Sequence, residues 1–130
     1  MIGLDTTFVI DFLNGEESAI NLVENYNEES FIVTPVTIFE VFLGILAGKN
    51  NVEHRENAAR EFFDRAQVVS ISQKTAVSAA RIAADTLKNG NVTEIADAMI
   101  AAALLEYGCN KILTRDKDFT RIKGINTVLY

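Results

Sequence analysis

The fold of this 130-residue chain is decided by its opening stretch, Met1-Ile2-Gly3-Leu4-Asp5-Thr6-Thr7. A short apolar run that ends abruptly at a carboxylate is typical of a strand buried on both faces of a parallel sheet. Asp5 would lie where this strand ends and a helix begins, which is where open α/β sheets bind their ligands. Capping of that helix by the Asp5 side chain is an alternative explanation for the same residue.

The rest of the chain alternates short apolar runs with helical periodicity. Further strands are predicted over residues 31–33, 68–71, 111–114 and 125–130, and helices over residues 17–26, 36–47, 53–67, 73–89 and 94–107. No hairpin-type turn separates successive strands, which favours parallel pairing with helices on both faces. The sequence therefore predicts an α/β fold, a three-layer α/β/α domain over residues 1–130 with a mostly parallel five-stranded sheet.

The helix predicted over residues 36–47 is apolar on almost every side and contains one carboxylate, Glu40. Thr34 as cap and Pro35 at the first helical position mark its start. A helix that is apolar all round is expected to be buried, so Glu40 should face the interior or a cleft. A buried charge is costly unless it is paired or binds a metal, and an ion pair with an arginine is the alternative to a functional role.

The helix predicted over residues 94–107 repeats this pattern, with Thr93 as its predicted cap and Gly108 as its end. Between Ile95 and Leu105 its one polar residue is Asp97. Favourable placement of a negative charge near the helix N-terminus is the alternative explanation.

Asp5 and Asp116 each follow a predicted strand, while Glu40 and Asp97 lie early in helices, so all four can reach one edge of the sheet. Carboxylates that converge without a lysine or histidine cannot all stay ionised unless a cation relieves their repulsion. Oxygen ligands of this kind select Mg²⁺ or Mn²⁺, ions that polarise phosphoryl oxygens and activate water for in-line attack. The pattern indicates metal-assisted phosphoryl chemistry.

Composition excludes several other classes of site. A single histidine, His54, among charged neighbours supports neither a zinc site nor a Ser-His-Asp triad. The net charge of −6 argues against a broad basic surface for nucleic acid. Cys109 has no disulfide partner and is expected to be a buried filler, and no signal peptide or membrane-spanning run is predicted. A cytoplasmic protein is expected.

In these residues the chain resembles the PIN-domain nucleases, specifically the short VapC-type toxin ribonucleases of prokaryotic toxin–antitoxin pairs. The resemblance covers the whole chain and depends on four motifs: Leu4-Asp5-Thr6, Thr37-Ile38-Phe39-Glu40-Val41, Asp97-Ala98-Met99-Ile100-Ala101-Ala102 and Thr114-Arg115-Asp116-Lys117-Asp118-Phe119. It implies metal-dependent hydrolysis of single-stranded RNA, a cognate antitoxin protein and a homodimer.

The resemblance also assigns roles to residues. Asp5, Glu40 and Asp97 match the core acids that hold Mg²⁺ or Mn²⁺, and Asp116 matches the fourth, either as a direct ligand or through water. Asp118 is an alternative ligand or the cap of the following turn. Thr6 and Thr114 are candidates for hydroxyls that support the metal ligands. The candidates for RNA contacts are Arg115, Lys117 and Arg121. Ordinary solubility is the alternative role for these basic residues.

Two antitoxin surfaces and three rival functions also follow from the sequence. An antitoxin is expected to insert an arginine or lysine among the acids and to anchor on residues 53–67 and 36–46. A Mg²⁺-dependent phosphatase of the haloacid dehalogenase type needs a second aspartate where Thr7 stands, and a response-regulator receiver needs an aspartate after the third strand. A catalytically inert PIN-like binding module is the third rival.

Overall fold

The computed structural model describes all 130 residues and contains the predicted five-stranded sheet. The strands lie in the order β3-β2-β1-β4-β5, where the bounds are β1 Ile2–Leu4, β2 Phe31–Val33, β3 Gln67–Val68, β4 Lys111–Thr114 and β5 Asn126–Leu129. Every neighbouring pair is parallel. The chain extends from β1 towards β3 on one side and from β4 to β5 on the other, so a topological switch point lies between β1 and β4.

Six α-helices cover the two faces of the sheet, which confirms the predicted three-layer fold. Their bounds are α1 Thr6–Leu13, α2 Glu17–Asn25, α3 Pro35–Leu46, α4 Val52–Arg65, α5 Gln73–Lys88 and α6 Ile95–Glu106. Helices α1 to α4 supply the core on one face, while α5 and α6 supply it on the other. None of the helices combines the length and the apolar character needed to cross a membrane.

Alternation along the strands explains why they are apolar throughout. Successive side chains of a strand point to opposite faces of the sheet. Ile2 and Leu4 belong to the core beneath α1 to α4, as does Val33, whereas Ile32 belongs to the core beneath α6. Both faces are therefore dry, as expected for a parallel sheet between helices.

Gly3 allows the central strand β1 to pack directly against α6. A Cβ added at Gly3 would stand 2.5 Å from Cδ1 of Leu104, whose side chain is fully buried. We expect Gly3→Ala to lower the free energy of unfolding by about 1–3 kcal/mol, the usual cost of overpacking. The matched control is Gly44→Ala in α3, where the added Cβ meets nothing within 4 Å. Urea denaturation compares the two variants, and equal stability would contradict this account of the packing.

The third strand differs from the prediction. It contains only Gln67 and Val68, not residues 68–71, and both residues are exposed at the edge of the sheet. Val69 instead packs into the core beneath α6, because the chain turns there towards the Ser72 cap of α5. Of the predicted run, Val68 pairs with Val33 and the Val69 N–H still donates to the Val33 carbonyl at 3.0 Å, but the ladder does not continue to Ile71.

The surroundings of α3 also differ from the prediction that it is buried on every side. Phe39, Leu43 and Leu46 are more than half exposed and follow one another at helical spacing. Val41 and Ile45 of α3 enter the core beneath α1 to α4, and Val36 packs against the core beneath α6. The apolar composition of this helix therefore indicates an uncovered surface as well as a core.

The predicted cap of α6 is wrong. Glu94 occupies the cap position without a side-chain hydrogen bond, and Thr93 instead donates to Oγ1 of Thr86 at 2.8 Å. The hydroxyl of Thr93 therefore fastens the segment before α6 to α5. Cys109 is buried, as predicted.

Candidate active site

Asp5 ends strand β1 and is held more tightly than the other candidate acids. Its carboxylate accepts hydrogen bonds from the Phe8 backbone N–H at 2.9 Å, from Oγ1 of Thr7 at 2.9 Å and from Oγ1 of Thr114 at 2.5 Å. The side chain caps α1, which confirms that prediction, and it also lies beside the switch point, where its role in ligand binding stays a prediction. Burial raises the pKa of Asp5 to about 6, and the hydrogen bonds from Thr114, Phe8 and Thr7 oppose this shift.

Glu40 is half-buried in the second turn of α3. Its Oε1 accepts a hydrogen bond from Oγ1 of Thr6 at 2.6 Å, so the first residue of α1 orients this carboxylate. None of the ion pairs in the structure includes Glu40. The alternative of a buried ion pair with arginine is therefore wrong, and a neutral hydroxyl is the partner of this acid.

Asp97 lies in the first turn of α6 and has only repulsive ionic neighbours. Burial raises the pKa of Asp97 to about 7, and the negative charges of Asp116, Asp5, Glu40 and Glu94 raise it further. No hydrogen bond or cation opposes this shift. The structure thus brings the four acids predicted from sequence into one electrostatic cluster.

Asp116, and not Asp118, caps the turn that follows these two residues. Oδ1 of Asp116 accepts a hydrogen bond from the Asp118 N–H at 2.8 Å, which caps a 3₁₀ turn over Lys117–Arg121. The carboxylate of Asp118 pairs instead with Nη1 of Arg121 at 3.3 Å and is about half exposed. The predicted cap at Asp118 is wrong because an Asx turn forms from the carboxylate that precedes the turn.

Two of the three predicted RNA-contacting residues carry ion pairs. Nε of Arg115 lies 2.7 Å from Oδ2 of Asp11, and Arg121 pairs with Asp118. Lys117 is exposed at the start of the 3₁₀ turn. Arg121 is thus paired within the segment, whereas Arg115 is paired with the buried Asp11 of α1.

Three residues in contact with this site are absent from the sequence prediction. Thr7 donates to Asp5, while Asp11 and Tyr130 are joined by a 2.7 Å hydrogen bond. The signal that selects Glu40, a lone carboxylate in an apolar helix, also applies to Asp11 within Phe8-Val9-Ile10-Asp11-Phe12-Leu13. Thr7 and Tyr130 have no comparable signal, because each gains its role from partners distant in sequence.

The donor set fits a hard divalent cation by its chemistry. The cluster contains only carboxylate oxygens supported by the hydroxyls of Thr6, Thr7 and Thr114, and the raised pKa of Asp97 indicates uncompensated negative charge. As the side chains stand, no three acidic, histidine or cysteine side chains are arranged to hold one ion. Of these acids, Asp97 has no hydrogen bond to break before it moves.

The same fold occurs in several toxin–antitoxin structures, although none of the curated proteins matches this sequence. VapBC2 from Rickettsia felis, bound to a DNA fragment from its promoter, is similar at a TM-score of 0.86 and 18% identity over 100% of this chain and 99% of that chain. DNA-bound VapBC from Salmonella typhimurium is similar at a TM-score of 0.84 and 23% identity, over 98% of this chain and 96% of that chain. VapBC-1 from nontypeable Haemophilus influenzae is similar at a TM-score of 0.82 and 21% identity, over 99% of this chain and 98% of that chain.

The family model described as the PIN domain matches residues 2–125, which is nearly the whole chain. This match includes all four clustered acids and the hydroxyls that support them. The parallel sheet, the switch point beside Asp5 and the sequence match agree, and the chain belongs to the PIN-domain family.

Proposed function

We propose that this protein is a divalent-metal-dependent endoribonuclease that cleaves single-stranded RNA, and that it is the VapC-type toxin of a toxin–antitoxin pair. The observation that carries the proposal is Asp97, a half-buried carboxylate whose charged neighbours are all acids. Such a cluster is destabilising by itself, which favours a role in cation binding over one in stability. Membership of the PIN-domain family supports a nuclease.

Each acid has a distinct task in this proposal. Asp5, Glu40, Asp97 and Asp116 would hold Mg²⁺ or Mn²⁺, which when bound supplies charge neutralisation and Lewis-acid polarisation of a phosphate. Thr114 and Thr7 fix the carboxylate of Asp5, while Thr6 fixes that of Glu40. These hydroxyls keep two acids in place in advance, so that only the less constrained side chains need to reorganise.

The rival functions are less well supported. An inert PIN-like module has no need to keep four repelling carboxylates, since neutral residues in their place would stabilise the fold. For a phosphatase of the haloacid dehalogenase type, a second aspartate near Asp5 would have to act as acid and base. Thr7 stands at that position and its hydroxyl is already committed to Asp5.

A cleavage assay on a mixed pool of single-stranded RNA tests the proposed function. We expect endonucleolytic products with Mg²⁺ or Mn²⁺ and none after EDTA treatment. A duplex RNA of matched sequence and a phosphomonoester serve as alternative substrates. Intact RNA under all metal conditions would favour the inert module, and release of phosphate from the monoester would favour the phosphatase.

The antitoxin partner is supported by the structural relatives, which are VapBC complexes. An apolar groove of about 300 Å³ lies between α1, α3 and α4, lined by Ile10, Leu13, Val41 and Ile45 together with His54 and Arg55. None of the clustered acids lines this groove. We propose that an apolar segment of the antitoxin occupies the groove and the exposed stripe of α3, while an arginine or lysine of the antitoxin reaches the acids.

The homodimer implied by the resemblance stays a prediction. Sedimentation velocity of the isolated chain tests it.

We expect antitoxin binding to compete with Mn²⁺ and to weaken as salt rises. A basic side chain among the acids would occupy the position of the cation, and its attraction is screened by salt. Titration calorimetry at increasing Mn²⁺ and NaCl concentrations measures both dependences. An affinity that responds to neither would place inhibition away from the acids and leave the apolar groove as the only contact.

A further inference from the structure

Arg115 contacts two residues on one face of α1. Its backbone N–H donates to Oγ1 of Thr7 at 3.2 Å, and its Nε forms an ion pair with Oδ2 of Asp11 at 2.7 Å. Thr7 and Asp11 are four residues apart, so they face the same direction from the helix. Because Thr7 also donates to Asp5, Arg115 is connected to the most buried acid through a single hydroxyl.

Tyr130 contacts the same carboxylate of Asp11 that pairs with Arg115. Its hydroxyl donates to Oδ2 of Asp11 at 2.7 Å, and its ring packs edge-on against Phe8 with the ring centroids 5.5 Å apart. Burial and the contact with Asp11 both raise the pKa of Tyr130, so the phenol remains a donor at neutral pH. Asp11 is itself only 6% exposed, and its Oδ2 atom is thus shared by one guanidinium and one phenol.

This arrangement uses one guanidinium nitrogen and leaves the other two available. The side chain of Arg115 is 55% exposed, and a guanidinium offers five N–H donors in a rigid fork that matches a phosphate. The position is significant for a protein of net charge −6, because an approaching phosphodiester is repelled by the surrounding acids. The guanidinium of Arg115, held in place next to the cluster, offsets that repulsion locally.

We propose that Asp11 and Tyr130 are positioning residues that aim Arg115 at a phosphate of the RNA strand near the clustered acids. This inference rests on the proposed function, because it needs RNA as the ligand of that edge. Arg115 contacts the substrate, whereas Asp11 and Tyr130 act only through Arg115. The ion pairs of two other basic residues of the segment lack an equivalent buried partner: Arg121 pairs with Asp118 and Lys123 with Asp85, whose side chains are 47% and 38% exposed.

A purely structural ion pair makes the opposite prediction for one variant. If Arg115 serves only to neutralise buried Asp11, Asp11→Asn removes a negative charge and releases a cation, so RNA should bind at least as tightly. If Asp11 aims Arg115, the same variant should bind RNA more weakly despite its more favourable net charge. The sign of the change therefore distinguishes the two roles.

The test measures steady-state cleavage of single-stranded RNA with Mn²⁺, and RNA binding by fluorescence anisotropy in an Asp97→Asn background. We expect Asp11→Asn and Arg115→Lys each to lower kcat/KM about tenfold, mainly through KM, since a directed charge-assisted contact is lost. Arg115→Gln should also reduce the slope of log affinity against log salt by about 0.7, the value for one phosphate contact on a single strand. Tyr130→Phe should give a smaller loss in the same direction.

The matched control is Asp85→Asn, which removes one carboxylate from an exposed ion pair with Lys123. It should retain wild-type KM. If Asp11→Asn fails to fold, Arg115→Lys and Tyr130→Phe test the proposal with the buried carboxylate intact. Wild-type KM in Arg115→Lys, or tighter RNA binding by Asp11→Asn, would overturn the inference. Absence of cleavage and RNA binding by the wild-type protein itself would instead contradict the proposed function.

Discussion

Asp97→Asn is expected to reduce RNA cleavage by at least about 10²–10³-fold, the loss typical of removing one group that stabilises charge in a transition state. The amide keeps the size and shape of the carboxylate, so the fold should be unchanged. It removes the negative charge that the neighbouring acids oppose and the oxygen ligand that a divalent ion needs. Cleavage of RNA with Mn²⁺ measures the effect, and circular dichroism confirms the fold.

The same variant is expected to be more stable than the wild-type protein when metal is absent. The pKa of Asp97 is raised to about 7, so the folded protein holds a proton that the unfolded chain has lost. Stability therefore falls as pH rises from about 4 to about 7 and stays low above that range. Because Asp97 is partly exposed, we expect a gain of only about 1 kcal/mol, or roughly 3–5 °C in Tm, for Asp97→Asn at pH 8.

The control for both effects is Asp64→Asn, which removes an exposed carboxylate from α4 and leaves the cluster intact. It should cleave RNA at the wild-type rate, and its Tm should not show the extra gain at pH 8. Wild-type cleavage by Asp97→Asn would remove this residue from the catalytic set. A lower Tm for Asp97→Asn at pH 8 would show that its carboxylate stabilises the protein, which contradicts the account of a repulsive cluster.

The features that the sequence predicts well are those with a local cause. The run Ile2-Gly3-Leu4 is apolar because both of its faces are covered, so its burial and its parallel pairing follow from periodicity alone. Asp5 and Asp97 stand out because a carboxylate among apolar neighbours needs a reason. These signals require only residues that are adjacent in the chain or one helical turn apart.

Other features depend on contacts that no local pattern contains. The hydroxyl of Thr114 meets Asp5 across 109 residues, and Tyr130 meets Asp11 across 119. Periodicity likewise shows that α3 has an apolar surface, but it does not show whether the protein itself covers that surface. For this reason the sequence predicts burial for Phe39, Leu43 and Leu46, which are exposed, and does not predict the contacts of Asp11.

The second large effect concerns the affinity of the cluster for Mn²⁺, which we expect to rise steeply between pH 5 and pH 7. A carboxylate must lose its proton before it binds a cation, so each displaced proton contributes up to tenfold in affinity per pH unit. Burial raises the pKa of Asp5 to about 6 and that of Asp97 to about 7. Below pH 6 two protons are displaced and the slope approaches a hundredfold per unit, whereas above pH 7 the affinity should level off.

Titration calorimetry in buffers of different ionisation enthalpy counts these protons directly. We expect the wild-type protein to release close to two protons per Mn²⁺ at pH 5.5, and Asp97→Asn to bind more weakly and to release one fewer. The two carboxylates repel each other, so the first proton leaves more readily than the second, and the cation removes that difference by compensating both charges. Asp64→Asn should release as many protons as the wild-type protein. An affinity that is flat between pH 5 and pH 7, with no protons released, would place the cation on acids other than Asp5 and Asp97, because an ion held by those two carboxylates must compete with their protons.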